Sequence, residues 1–376
     1  MNKFFSLTIL ILAISLASCR SEVNCSCAAC GSCNPVKYTG WAIGWYVDID
    51  DPGIPLAAAI VHTNDSGHTW TMQSDISEWA GFAGNDISAV DEQTAWAALG
   101  GTTSETDGAI LHTADSGQVW ARQTLPASVQ DSIKGVKGLS RTEAWAVSLH
   151  GTILHTIDAG NTWNIVPHPG IAIGEINRID AIGPNIWMVD HLAGVKGIIR
   201  SNDNGLTWQQ DTLPPIGNGH GPLAINAFSP SVVWSAVNGV TSLFRTMDGG
   251  DSWVNVAPDL SGMNDFDDIC AGGKDWVWAV LNQGGFFPGT IFRVGVAGPA
   301  PVVQKFDPGY LNYQYEGVTC FDENNAWVVG HADMNARPEL PQAVIVHTND
   351  GHSWENQLLP ADNIRLWKVS FVGAKR

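Results

Sequence analysis

One short phrase recurs six times along this chain and limits what it can fold into more than any other feature. The first copy reads Thr63-Asn64-Asp65-Ser66-Gly67-His68-Thr69-Trp70, and others span 113–120, 156–163, 201–208 and 246–253, with a version one residue shorter at 348–354. Its aspartates, Asp65, Asp115, Asp158, Asp203, Asp248 and Asp350, are separated by 50, 43, 45 and 45 residues and then by 102. Single steps of that size are the period of a propeller blade, and the last interval holds two.

A second ladder fills the gap. Trp41, Trp96, Trp145, Trp187, Trp234, Trp278 and Trp327 each stand in a short apolar run, which makes seven units. The unit around Trp278 keeps a strand at 290–294 but lacks the aspartate turn. The two ladders use thirteen of the seventeen tryptophans, so most of the aromatic content is core. Within a unit the runs are short, rich in Val, Ile, Leu and Trp, and bounded by Gly, Asp, Asn and Pro. That is strand-and-hairpin punctuation, and it gives four strands per unit. The predicted fold class is all-β, a seven-bladed propeller of four-stranded blades. One such sheet cannot bury both of its faces, whereas a radial ring can.

Ring closure is also legible. The first tryptophan strand has no inner strand before it, and the segment 366–376 has no tryptophan strand after it. The C-terminal strand is therefore predicted to complete the first blade.

The formal charge of −18, from 37 acidic and 19 basic side chains, excludes a nucleic-acid footprint. Lys3 followed by an apolar run from Phe4 to Leu16 reads as a signal peptide. Its end, Leu16-Ala17-Ser18-Cys19, resembles a bacterial lipobox, which implies cleavage before Cys19 and lipidation there. The expected organisation is a lipoprotein signal peptide at 1–18, a lipid-anchored Cys-rich tether at 19–38, and the propeller at 39–376. The expected location is extracytoplasmic, on a bacterial membrane, with the lipid as the sole membrane contact.

In the tether, Cys25, Cys27, Cys30 and Cys33 match neither an iron–sulfur run nor a zinc ribbon, so local disulfides are the expectation in an oxidising envelope. Cys270 and Cys320, on inner strands, read as buried small apolar residues. They stand eight and seven residues before their tryptophans, so they are expected to face opposite ways and stay unbridged.

The six-fold phrase resembles the Asp-box, or BNR repeat, of sialidases, sortilin-type receptors and photosystem II assembly and stability factors. Residues 145–163, from Trp145-Ala146-Val147 through Asp158-Ala159-Gly160 to Trp163, follow the whole strand–turn–strand phrase of the last group. The resemblance covers about residue 39 onward. It implies that the six box aspartates shape turns and do no chemistry, and that the ligand is a protein segment. It also implies an arginine-rich docking surface, which this chain does not supply outside one repeating column. That column, His62, His112, His155, Arg200, Arg245, Arg293 and His347, recurs with the blades and so cannot converge on one carboxylate as a sialidase requires.

The face opposite the box turns carries irregular insertions, and a ring presents its ligands there. Tyr46, His220, Phe286, Phe287, Tyr310, Tyr313 and Tyr315 are the candidate binding residues on it. The alternative is a glycan-binding or glycoside hydrolase propeller, with Asp268 and Glu316 as its acid pair. No cofactor or metal is expected; Asp48, Asp50 and Asp51 lack the glycine and terminal glutamate of an EF-hand loop. The partner is a protein or a glycan, and the chain is expected to act as a monomer.

Overall fold

The computed structural model describes residues 37–48, 55–75, 77–190, 197–211, 213–214, 221–237, 242–257, 265–282, 289–298, 300–308, 313–332 and 342–373. Cys19, the four tether cysteines, and His220, Phe286, Phe287 and Tyr310 lie outside them.

Seven antiparallel four-stranded sheets make a seven-bladed propeller. Each second strand carries its ladder tryptophan at no more than 1% exposure, and strands such as Ala144–Ser148 are buried along their whole length. This explains the unbroken apolar runs: a middle strand is covered on both faces by neighbouring blades, so it does not alternate. The fourth strands, among them Ala121–Arg122 and Asn164–Val166, are short and largely exposed. Seven apolar clusters form, each between one blade and the next, and one of them joins the last blade to the first.

The first blade is built as expected. Its innermost strand is Ile364–Gly373, paired antiparallel with Tyr38–Val47. Phe371 of that strand stacks on Trp327 of the seventh blade with ring centroids 4.1 Å apart, and Ile364 and Leu366 are fully buried. The seam is close enough to demand a glycine. A Cβ on Gly44 would lie 1.8 Å from the Arg365 carbonyl oxygen.

Five of the six box turns share one geometry, and the shorter one at 348–354 closes one residue sooner. In the third blade Thr156 Oγ1 donates to Asp158 Oδ1 at 2.9 Å and accepts from Gly160 N at 3.0 Å. Asp158 then accepts from Thr162 N at 2.9 Å and from Thr162 Oγ1 at 2.6 Å. Ala159 and Gly160 take φ of 61° and 80°, the left-handed region where the tight turn needs a small residue. The box tryptophan packs edge-on against the ladder tryptophan of the preceding blade, as Trp163 on Trp96, Trp208 on Trp145 and Trp354 on Trp278. The boxes thus fasten blade to blade.

One expectation is overturned. Cys270 and Cys320 are joined by a disulfide, with Cα atoms 5.8 Å apart. The one-residue offset does send the two thiols to opposite faces of their own sheets. In a ring, however, the far face of one blade meets the near face of the next. Opposite orientations on the sixth and seventh blades therefore aim the sulfurs at each other.

Candidate functional site

The basic column is structural. Every member sits directly across from its blade's ladder tryptophan: Trp41 opposite His62, Trp96 opposite His112, Trp145 opposite His155, Trp187 opposite Arg200, Trp234 opposite Arg245, Trp278 opposite Arg293 and Trp327 opposite His347. The imidazoles of His112, His155 and His347 stack on their indoles at 3.9, 3.9 and 4.2 Å, and Arg245 and Arg293 lie over theirs as cation–π partners. Burial holds His62 and His347 down to about 4. Six of these side chains are spent on the indoles, and the seventh, Arg200, pairs with Asp211 and Asp251.

All seven inner strands line a central cavity of about 350 Å³. Its polar side chains are largely used up in holding blades together. Asp86 accepts from Val136 N at 3.0 Å, Asp180 from Ala227 N at 2.7 Å, and Asn226 Oδ1 from Ala271 N at 2.8 Å. Lys137 pairs with Asp180 at 2.7 Å, and Lys368, on the closing strand, pairs with Asp268 at 2.7 Å. Asp268 also accepts from Val318 N at 3.1 Å. One member of the sequence-predicted acid pair is thus a clasp between blades.

Its predicted partner, Glu316, is 2% exposed and lies elsewhere in the hydrogen-bond network. Its Oε1 is 3.1 Å from His331 Nε2 and accepts from Asn282 Nδ2 at 3.2 Å. The carboxyl that feels the Glu316 charge is Asp267, one residue from the predicted position. Burial pushes Asp267 well above the usual carboxylate range, and the nearby Glu316 charge pushes it further.

The tyrosines are placed differently from the sequence expectation. Tyr46, Tyr313 and Tyr315 are 8%, 7% and 1% exposed and belong to the cores between blades. Tyr46 donates to the Ser74 carbonyl at 2.7 Å. The reason is strand length: Tyr38–Val47 and Tyr313–Cys320 extend into what reads as insertion, each across a register shift.

A second cavity, about 370 Å³, opens where the inner strands begin, on the face away from the box turns. Trp45 and Trp367, two of the four tryptophans outside the ladders, line it with centroids 5.2 Å apart. Phe266 and Leu223 add apolar wall, and Lys134, Arg178 and Asp267 supply charge. Arg178 also borders the central cavity, so it stands at the neck between the two. Sequence reasoning missed this group because its members are scattered over six blades, one to three from each. The available sign was that Trp45 and Trp367 fit neither ladder.

With this geometry in view, the profile of photosynthesis system II assembly factor YCF48 matches residues 54–286, more than half of the chain. The chain belongs to this family. Similar solved structures include YCF48 bound to D1 peptide, 18% identical over 76% of this chain and 90% of that one, with a TM-score of 0.54. YCF48 from Cyanidioschyzon merolae is 17% identical over 80% of this chain and 95% of that one, with a TM-score of 0.56. A GH74 xyloglucanase from Xanthomonas campestris is 16% identical over 75% of this chain but 46% of its own, also at 0.56. At these identities the likenesses carry the fold alone. No curated protein sequence matches the chain.

Proposed function

We propose that this protein is a non-catalytic module that binds a protein segment, held at the outer side of a bacterial membrane by lipid on Cys19. Membership of the YCF48 family supports the assembly-factor reading, and a similar propeller has been solved with a D1 peptide. The observation that carries it here is the mouth cavity, where aromatic, apolar and cationic side chains converge beside a channel whose own charges are largely engaged. Aromatic residues with arginine are what protein recognition surfaces favour. The disulfide between Cys270 and Cys320 agrees with an oxidising compartment.

A second reading rests on Asp267 and Glu316. A carboxyl raised by burial beside another carboxyl is how a glycosidase sets its general acid. A panel of plant and bacterial polysaccharides separates the two. The binding reading expects no reducing sugar release by the wild type, and undiminished capture of partner protein from solubilised native membranes by Glu316→Gln, which lies outside the mouth cavity. Hydrolysis that Asp267→Asn or Glu316→Gln abolishes would replace it with the enzymatic reading.

A further inference from the structure

Among the described residues the lining of the mouth cavity sets two cations, Lys134 and Arg178, against one carboxyl, Asp267, which burial holds toward its neutral form. Among the described residues neither Lys134 nor Arg178 takes part in an ion pair, although the chain carries eighteen more acidic than basic charges. Arg178 spends one N–H on its neighbour, the Asn177 carbonyl at 2.9 Å, and its buried Nε has no partner. The indole Nε1 of Trp45 is likewise buried without a partner. Burial holds Lys134 below its ordinary value; the Glu105 carboxylate opposes this, the Arg178 charge adds to it, and Asp131 and Glu175 oppose it more weakly.

Two half-buried cations set near each other are mutually repulsive. An arrangement of that kind is stabilised when an anion enters between them. A guanidinium with an ammonium suits a carboxylate, which accepts from both. The walls limit what the carboxylate can be attached to. Trp45, Trp367, Phe266 and Leu223 ask for an apolar or aromatic body, and a cavity of about 370 Å³ is at the small end of ligand pockets. It has room for one or two residues of a peptide, not for a helix or a strand crossing the ring.

We propose that the mouth cavity captures the free C-terminal carboxylate of a bound protein, with Lys134 and Arg178 holding the carboxylate and Trp45 and Trp367 holding an apolar last side chain. This rests on the protein-binding reading and names the part of the partner that is recognised. The polar floor is then complementary to a chain end, which places an anion and an apolar group on adjacent atoms. An internal loop of a partner has no such pairing.

The test uses N-acetylated pentapeptides ending in Phe or Leu, each as free acid and as C-terminal amide, titrated into the purified propeller by calorimetry. The free acid is expected to bind roughly tenfold or more tightly than its amide. Lys134→Gln and Arg178→Gln are each expected to shrink that ratio to about twofold or less. Lys134 borders the mouth cavity and not the central one, so Lys134→Gln with an unchanged melting curve guards against misfolding. Equal binding of acid and amide, absence of binding by either, or preference for a uronate oligosaccharide would overturn the proposal. Should Lys134→Gln still recover a partner protein from native membranes as the wild type does, the protein-binding reading stands and this site falls.

Discussion

Removal of Ile364–Arg376 is expected to abolish the single cooperative unfolding transition. The strand Ile364–Gly373 supplies the inner edge of the first blade, and its absence leaves Tyr38–Val47 unpaired along one side. It also withdraws Ile364, Leu366, Val369 and Phe371 from the core shared by the first and last blades. Each such side chain contributes about 1.5–3 kcal/mol when buried, so the four together rival the net stability of an ordinary domain. Lys368 departs too, leaving Asp268 without its cation. The milder Phe371→Ala empties the stack on Trp327 and is expected to cost about 3–5 kcal/mol while keeping one transition. Calorimetry of the truncated chain decides this; an unaltered melting transition would show that the ring does not depend on its closing strand.

The second large effect is acid sensitivity above the carboxylate range. His62 and His347 are held at about 4 by burial, against an ordinary 6.5. Their folded values are depressed, so between pH 6.5 and 4 the unfolded chain takes up protons that the folded chain refuses. Stability therefore rises with pH across that window and levels off above it. Each histidine accounts for on the order of 3 kcal/mol at the acid end. His112, lowered by burial as well, adds in the same direction. The box aspartates act in a different window. The hydroxyls of Thr162, Thr207 and Ser252 hold Asp158, Asp203 and Asp248 below the usual range, so their contribution is complete above about pH 4 and fades only below it. Asp267, raised by burial, works the other way and gains stability as pH falls, so the histidine contribution is read as a difference. Between pH 7 and 4 melting temperatures are expected to fall further in the wild type than in the double variant His62→Phe and His347→Phe, which keeps an aromatic ring against each indole. Equal profiles of the two proteins between pH 6.5 and 4 would contradict the assignment.

The fold was readable because each blade repeats the residues that make it. A tryptophan on the second strand, an aspartate and glycine at the turn, and a tryptophan after the turn satisfy local geometry and contact the neighbouring blade together. Closure was readable because Trp41 lacked an inner strand and the chain end supplied one. The disulfide was not, because the one-residue offset between Cys270 and Cys320 parts two thiols on one flat sheet, whereas the ring brings opposite faces together. Tyr46, Tyr313 and Tyr315 were misplaced for a different reason. Strand ends near the channel run past the turn residues, and an aromatic there falls into the packed seam. The mouth cavity was invisible to motif reading, since Trp45, Lys134, Arg178, Asp267 and Trp367 are brought together by the ring and not by sequence spacing.

The proposed protein segment docks on the face where the inner strands begin. A photo-reactive benzophenone side chain placed at Leu223, beside the mouth cavity, and separately at Leu206, 81% exposed on a box turn, tests it in native membranes. A discrete protein adduct from Leu223 and none from Leu206 is the expected result. Adducts from Leu206 alone would move the docking surface to the opposite face and contradict the claim.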